Sequence, residues 1–266
     1  MPHKEHEHRM PEFSGSPDIW NSLWDENTSL TPDALRKFIK PYQHFQKSDE
    51  YPLIWSKTGS ITRLGTNPGI IGIYGPTSAG KDTLMQGIAI PHFRIHTTTT
   101  RHMRTNDPDG EKYYTFLSSQ EFIKKLQTNT FLEWMKEVSG YYGTENKEVI
   151  EKIQKARESN IPLLLWRGNI EGHLSFAPQV FSQFSMTVPG IFILPDMPIH
   201  QYKEHIVSSR GQTEGLKRWQ MACAEIEYAP EIVDYFLINP LTEGNGKEQS
   251  IAALNILLSD LLSSGA

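Results

Sequence analysis

Cysteine is almost missing from this chain of 266 residues: Cys223 stands alone, so no intrachain disulfide can form. That usage suits a reducing compartment. Long apolar runs are missing too, and none approaches the roughly 20 residues that a membrane-spanning helix requires. Charge of one sign is not in large excess. The 26 Lys and Arg face 31 Asp and Glu, a net of −5, which excludes a polyanion binder working by bulk attraction and leaves room for a local basic site. The stretch Met1 to Met10 carries charges and three histidines but no apolar segment of the kind that marks a secretory signal. The expectation is a cytoplasmic protein without nucleic-acid or membrane partners. No internal repeat is visible.

What is present is globular material, 38% apolar and 11% aromatic, sufficient at this length to bury a sizeable core. Two textures divide it. Residues 1–68 form an N-terminal extension that mixes His, Glu, Ser and Pro with isolated aromatics such as Trp20, Trp24, Tyr42 and Phe45. One helix is predicted there: Thr31 caps it, Pro32 suits its first position, and Leu35, Phe38 and Ile39 make an apolar stripe. Pro41 should end it, and Tyr51 to Trp55 reads as a short strand. The extension suits either a partner-binding arm or a packed cap, with His3, His6 and His8 in a solvated tail.

Residues 69–266 read as the main domain. Ile70 to Tyr74 is a β-rich run that ends in glycine, and a helical pattern starts near Lys81. Further strands are predicted at Ile161 to Leu165, Ile191 to Leu194 and Tyr235 to Ile238. Helices are predicted at Ser119 to Thr128, Lys147 to Glu158, Leu216 to Tyr228 and Glu248 to Leu262. This alternation implies an α/β fold of three layers around a mainly parallel sheet.

The turn between that first strand and helix reads Gly75-Pro76-Thr77-Ser78-Ala79-Gly80-Lys81-Asp82-Thr83. Two glycines separated by four residues let successive backbone N–H groups turn inward around the phosphates of a nucleoside triphosphate. Lys81 places a point charge on the β- and γ-phosphates. The residue after such a lysine is normally Ser or Thr, whose hydroxyl binds Mg²⁺; here it is Asp82, with Thr83 next. Asp82 and Thr83 are therefore the candidate Mg²⁺ ligands, both offering the oxygen that this hard cation takes. A phosphotransferase using ATP is the function that this loop points to.

Further signals follow in order: Thr97-Thr98-Thr99-Thr100-Arg101-His102-Met103-Arg104, then Asp109-Gly110-Glu111-Lys112-Tyr113-Tyr114, then Phe131-Leu132-Glu133-Trp134, then Gly140-Tyr141-Tyr142-Gly143-Thr144. With these motifs the chain resembles guanylate kinase from about Ile70 to about Leu262. The resemblance implies a P-loop kinase fold with an acceptor-binding region at about 97–146 and a short lid at about 203–218. It implies that Arg101 and Arg104 grip the acceptor's phosphate, a task that suits forked guanidinium groups, and that Tyr114 and Tyr142 donate to the same phosphate. Glu133 would read guanine through N1–H and the exocyclic amine, with Thr97 and Thr144 at the base edge. Arg210 and Arg218 match lid arginines that meet the charge on the transferring phosphoryl group, whereas Lys203 and His205 do not align. Asn239 falls where the family approaches the adenine ring. Trp134 reads as core packing beside Glu133, and Tyr113 and Tyr141 as structural.

One stretch departs from the family. A pair of aspartates is expected after the strand at Ile161 to Leu165, and their positions hold Arg167 and Asn169. The gain of Asp82 across the cleft reads as a compensating transfer of negative charge toward the metal. Both oddities also resemble ribose 1,5-bisphosphate phosphokinase, a relative acting on a sugar phosphate, although Glu133 favours a guanine acceptor. A non-catalytic guanylate kinase-like interaction module is the reading from another class, and the intact Gly75, Gly80 and Lys81 weigh against it. The expectation is transfer of the γ-phosphoryl of ATP to GMP or dGMP.

Overall fold

A computed structural model describes residues 17–57, 64–103, 110–137, 139–241 and 244–263. In chain order its elements are α1 (Pro17–Asp25), α2 (Pro32–Leu35), a 3₁₀ turn (Lys40–His44), β1 (Gln46–Lys47), β2 (Ile54–Ser56), β3 (Gly69–Tyr74) and α3 (Lys81–Gln86). There follow β4 (His92–Ile95), β5 (Thr97–Thr99), α4 (Gly110–Tyr113), β6 (Tyr114–Phe116), α5 (Ser119–Gln127), β7 (Phe131–Glu137), β8 (Gly140–Glu145) and α6 (Asn146–Glu158). The chain continues through β9 (Leu163–Arg167), α7 (Ile170–Phe184), β10 (Gly190–Asp196), α8 (Ile199–Arg210), α9 (Gln212–Ile232), β11 (Tyr235–Pro240) and α10 (Gly246–Leu262).

Seven strands make the central sheet in the order β1-β2-β11-β10-β3-β9-β4. From β11 to β4 every pairing is parallel, while β2 joins β11, and β1 joins β2, antiparallel. Burial explains why these strands read as near-continuous apolar runs. On β3, Ile70 and Tyr74 enter a core on one face of the sheet, and Ile71 and Ile73 enter a second core on the other. Helices cover both faces, as parallel sheets require. Trp166, Phe192 and Phe236 fill the first core, with Phe176 of α7 and Ile226 of α9. Leu254, Leu257 and Leu258 of α10 close the second against Leu165 and Leu237. The predicted three-layer α/β architecture is the one found.

A smaller mixed sheet, ordered β6-β5-β8-β7, stands beside it. A capping box starts α5: the Ser118 hydroxyl accepts from the Glu121 N–H, and the Glu121 carboxylate accepts from the Ser118 N–H. Between Phe131 and Glu133 the β7–β8 register shifts. The shift buries Leu132 and Glu133 in succession and turns Trp134 outward, 42% exposed. The expectation that Trp134 packs in the core is thereby overturned; Glu133 occupies the buried side instead.

The extension is partly built into the domain. Thr31 accepts from the Ala34 N–H at 3.4 Å, but α2 lasts only four residues, and Pro41 sits in the first turn of the 3₁₀ segment rather than after a helix. Leu35, Ile39 and Tyr42 are buried all the same, because the broken backbone still presents them to the large core. Helix α1, unforeseen in the sequence, sets Trp20 and Trp24 edge-on to Trp219 of α9, with centroids 5.9 and 6.5 Å apart. Helices α7 and α8 were also unforeseen. Pro178 lies inside α7, an internal proline that masked its helical period.

Candidate active site

The phosphate loop takes its shape from backbone conformations that its two glycines permit. Gly75 leaves β3 at φ 143° and Gly80 enters α3 at φ 86°, values that other residues rarely adopt. A Cβ on Gly80 would also come within 2.5 Å of the Asn239 amide nitrogen. That amide donates to the Ala79 carbonyl at 2.9 Å, so Asn239 braces the loop from below. From α8, the Tyr202 hydroxyl donates to the Thr77 carbonyl at 2.5 Å. Lys81 folds back over the loop, its ammonium donating to the carbonyls of Gly75 and, at 2.7 Å, of Pro76. Burial pulls its pKa down to about 8, with the positive charge of Arg167 adding to the effect.

A cleft of about 610 Å³ runs from this loop to the small sheet. Of the residues singled out in the sequence, it brings together Gly75, Thr77 to Thr83, Thr97, Arg101, Tyr114, Glu133, Tyr142, Arg210 and Arg218. Thr144 lies just behind the wall, fully buried. Its hydroxyl donates to Glu133 Oε1 at 2.6 Å and accepts from the Trp166 indole at 2.9 Å. Pro76 and Asn239 also stand outside the lining, and Arg104 lies outside the described residues. Burial pushes Glu133 up to about 7, against the opposing pull of the Thr144 hydrogen bond. Arg101 is buried with its guanidinium 4.5 Å from the Tyr114 ring and 5.1 Å from Phe116, a cation–π arrangement. The Tyr142 hydroxyl shares a 2.6 Å hydrogen bond with Ser139.

Between these two ends lies an arrangement that linear sequence did not disclose. Asp82 and Arg167, two of the three departures from the family pattern, touch each other. Arg167 Nε stands 2.7 Å from Asp82 Oδ1, and its NH2 donates to Oδ2 at 3.1 Å. Its remaining nitrogen, NH1, donates to the Tyr114 hydroxyl at 2.9 Å. Arg94 adds a second cation, 3.8 Å from Asp82, and stacks over Tyr113 at 3.6 Å. Burial alone would raise the Asp82 pKa, but Arg167, Lys81 and Arg94 together hold it below the usual value.

Residues 69–243 match the family model described as guanylate kinase. The chain belongs to the guanylate kinase family. It is 31% identical over 175 residues to a guanylate kinase of Clostridium tetani, covering 64% of this chain and 77% of that one. Another, from Trichormus variabilis, is 32% identical over 176 residues, 64% of this chain and 81% of its own. A crystal structure of guanylate kinase from Anaplasma phagocytophilum superposes with a TM-score of 0.49 at 19% identity, covering 76% of this chain and 90% of that one.

Within this family's cleft, several lining residues escaped sequence reasoning. Arg94 carried no signal, because it sits in a strand among unremarkable neighbours. Tyr113, read as structural, lines the cleft with Arg94 upon it. Glu137 and Glu225 face the phosphate end from β7 and α9, and burial pushes Glu225 up to about 8. His205 lines the cleft although it matches no motif. Among the described residues, no group of three or more His, Cys, Asp or Glu is arranged to hold a metal. No helix among them is long and apolar enough to cross a membrane.

Proposed function

We propose that this chain is a guanylate kinase that moves the γ-phosphoryl group of ATP to GMP or dGMP in the cytoplasm. The observation that carries this reading is Glu133: a buried carboxylate at the end of the cleft, oriented by Thr144 and facing the space opposite the phosphate loop. Once ionised it accepts from two adjacent N–H groups, which guanine offers and adenine does not. A site built to satisfy such donors rejects the mismatched base strongly.

The division of labour follows the cleft. On the donor side, the loop N–H groups and Lys81 take the ATP phosphates, for which Lys81 must exchange its contacts with the Gly75 and Pro76 carbonyls. On the acceptor side, Arg101, Arg104, Tyr114 and Tyr142 take the GMP phosphate, and Thr97 and Thr144 stand at the base. Arg210 and Arg218 approach from α8 and α9. Arg218 Nε lies 2.7 Å from Glu214 and its NH2 is 3.5 Å from the Ser139 hydroxyl, the group that also hydrogen-bonds Tyr142 of β8. Asn239 supports the donor loop from behind.

Mg²⁺ fits the oxygens of Asp82 and Thr83 at the loop mouth: the Asp82 side chain is 59% exposed even while Arg167 holds it, and this ion is commonly bound through one or two carboxylates plus substrate phosphates. When bound, it would neutralise phosphate charge. The described part of the extension packs on the domain, with Leu35, Ile39 and Tyr42 in the large core.

A coupled assay of ATP consumption tests the proposal with GMP, dGMP, AMP, UMP and ribose 1,5-bisphosphate as acceptors. GMP or dGMP should exceed AMP in kcat/KM by at least about 10²-fold, the discrimination such a hydrogen-bonding site supports. Equal turnover of GMP and AMP would end the guanine reading, and turnover of the sugar phosphate alone would replace it.

A further inference from the structure

Arg167 occupies a place where charge matters most and where the family pattern has a carboxylate. It lies at the C-terminal end of β9, the strand next to β3, so topology alone sets it beside the phosphate loop. Its guanidinium is shared between the two halves of the cleft. Two of its nitrogens face Asp82, the residue immediately after Lys81, and the third reaches Tyr114, a residue of the acceptor's phosphate site. Its Nε–H is buried and makes no hydrogen bond, because the 2.7 Å contact to Asp82 is poorly aligned. A buried N–H of that kind is costly unless a partner arrives.

We propose that Arg167 is a catalytic residue that meets the transferring phosphoryl group, and that Asp82 is the positioning residue that holds it there. This rests on the phosphotransferase reading above. In the step itself, an oxygen of the acceptor's phosphate attacks the γ-phosphorus of ATP. The bond from that phosphorus to the β–γ bridging oxygen breaks, and its electron pair leaves with ADP. No proton need move when the acceptor phosphate is dianionic, and nothing is oxidised or reduced. Negative charge is spread over the equatorial oxygens during transfer, and catalysis of this kind is positioning plus electrostatic stabilisation. A planar, permanently charged fork suits those oxygens. Arg167 is supplied by the core sheet rather than by a lid, so its position does not wait for closure. Asp82 prevents the cluster formed by Lys81, Arg94 and Arg167 from repelling itself apart before phosphate arrives.

The charge arithmetic separates this role from the one that sequence alone suggested. There, Asp82 stood in for lost metal carboxylates. Here, whatever Asp82 gives to a metal, it also holds Arg167, and that cation serves the phosphoryl group directly.

The test is steady-state kinetics on the full chain with GMP and ATP, beside calorimetry of GMP and of a non-hydrolysable ATP analogue. Arg167→Gln should lower kcat by about 10²–10³-fold, the range for losing one transition-state donor, while either dissociation constant moves by less than about fivefold, a small free energy beside the catalytic loss. Arg167→Lys, which keeps the charge and loses the fork, should fall between parent and Arg167→Gln. Arg167→Gly should regain activity when guanidinium ion is added at millimolar concentration. A kcat for Arg167→Gln within about threefold of the parent would overturn the proposal, as would unchanged kcat with weakened binding. If Arg167→Gln fails to fold, the Lys variant and the guanidinium rescue decide in the same two directions. A parent that transfers phosphoryl to no acceptor would sink the functional reading itself and this inference with it, an outcome distinct from an active parent with an indifferent Arg167.

Discussion

The two ends of the cleft solve the problem of burying charge in opposite ways. At the base end a single carboxylate, Glu133, is taken almost wholly out of water and given one neutral hydrogen bond, from Thr144, which the Trp166 indole orients in turn. Its pKa rises as a result, and on the proposed reading the donors of guanine would complete its hydrogen bonding. At the phosphate end Lys81, Asp82, Arg94 and Arg167 are packed together, and the single carboxylate offsets part of the charge of the three cations. The base end thus keeps one carboxylate short of partners, and the phosphate end sets three cations around one carboxylate. Removing one group should therefore have different consequences at the two ends.

The largest effect is expected at the phosphate end. Lys81→Ala should lower kcat by at least about 10³-fold, since on the proposed reading its charge would lie on the phosphates throughout transfer. GMP binding measured by calorimetry should stay within about threefold of the parent, because the acceptor grips lie elsewhere. Loss of GMP binding along with activity would erase the distinction between the two ends.

Next in size is the ion pair. Asp82→Ser restores the hydroxyl usual after such a lysine but leaves Arg94, Arg167 and Lys81 unbalanced, and kcat/KM should fall about 10- to 100-fold, in keeping with the loss of one partner from a partly buried pair. Adding Arg167→Gln to that variant should cost less than the same change costs in the parent, because Arg167 has by then lost the carboxylate that holds it. The coupling energy of this double-mutant cycle is the measurement, and strict additivity would show that the two side chains do not act together. Their 85-residue separation in sequence makes accidental coupling through local structure implausible.

The smallest effect should appear at the base end, as pH dependence. Glu133 has its pKa raised to about 7 by burial, and guanine recognition uses the ionised form. GMP affinity should therefore strengthen as pH rises from 6 to 8, by somewhat under tenfold, as the carboxylate goes from mostly protonated to mostly ionised. Binding in that window should release a proton, visible as a buffer-dependent enthalpy. Glu133→Gln should lose this component, while the ionisation of the GMP phosphate persists in both proteins and serves as the internal control. The same variant should also erode the preference for GMP over AMP. A Glu133→Gln protein with the parent's full pH profile would show that this carboxylate does not govern binding.

Much of the domain was legible in the chain because its signals are local. The β-rich run ending at Tyr74 gave β3, and the spacing of Gly75, Gly80 and Lys81 gave the loop. Helices α5, α6, α9 and α10 were placed by periodicity, each end within four residues. Helix α7 was missed through Pro178, α8 through its weak amphipathic pattern, and α1 through the mixed composition around it. The predicted helix after Thr31 broke into α2 and a 3₁₀ turn because packing of Leu35, Ile39 and Tyr42 outweighed helical continuity. Trp134 was misplaced for a related reason: a register shift in β7 is a cross-strand property, and no single-strand pattern reveals it.

By itself the sequence determined the class of fold, the phosphate loop, the identity of the family and most of the polar groups that converge on the cleft. These depend on local backbone preferences and on motifs whose residues act over a few positions. Only the tertiary structure decided how those groups balance one another. Glu133 is held at the cleft wall because Thr144 of β8 donates to it and Trp166 of β9 donates to Thr144 in turn. Asp82 and Arg167 became a pair because β9 lies beside β3 in the sheet. Charge interactions depend on separation in space and on the surrounding dielectric, and neither quantity is written along the chain.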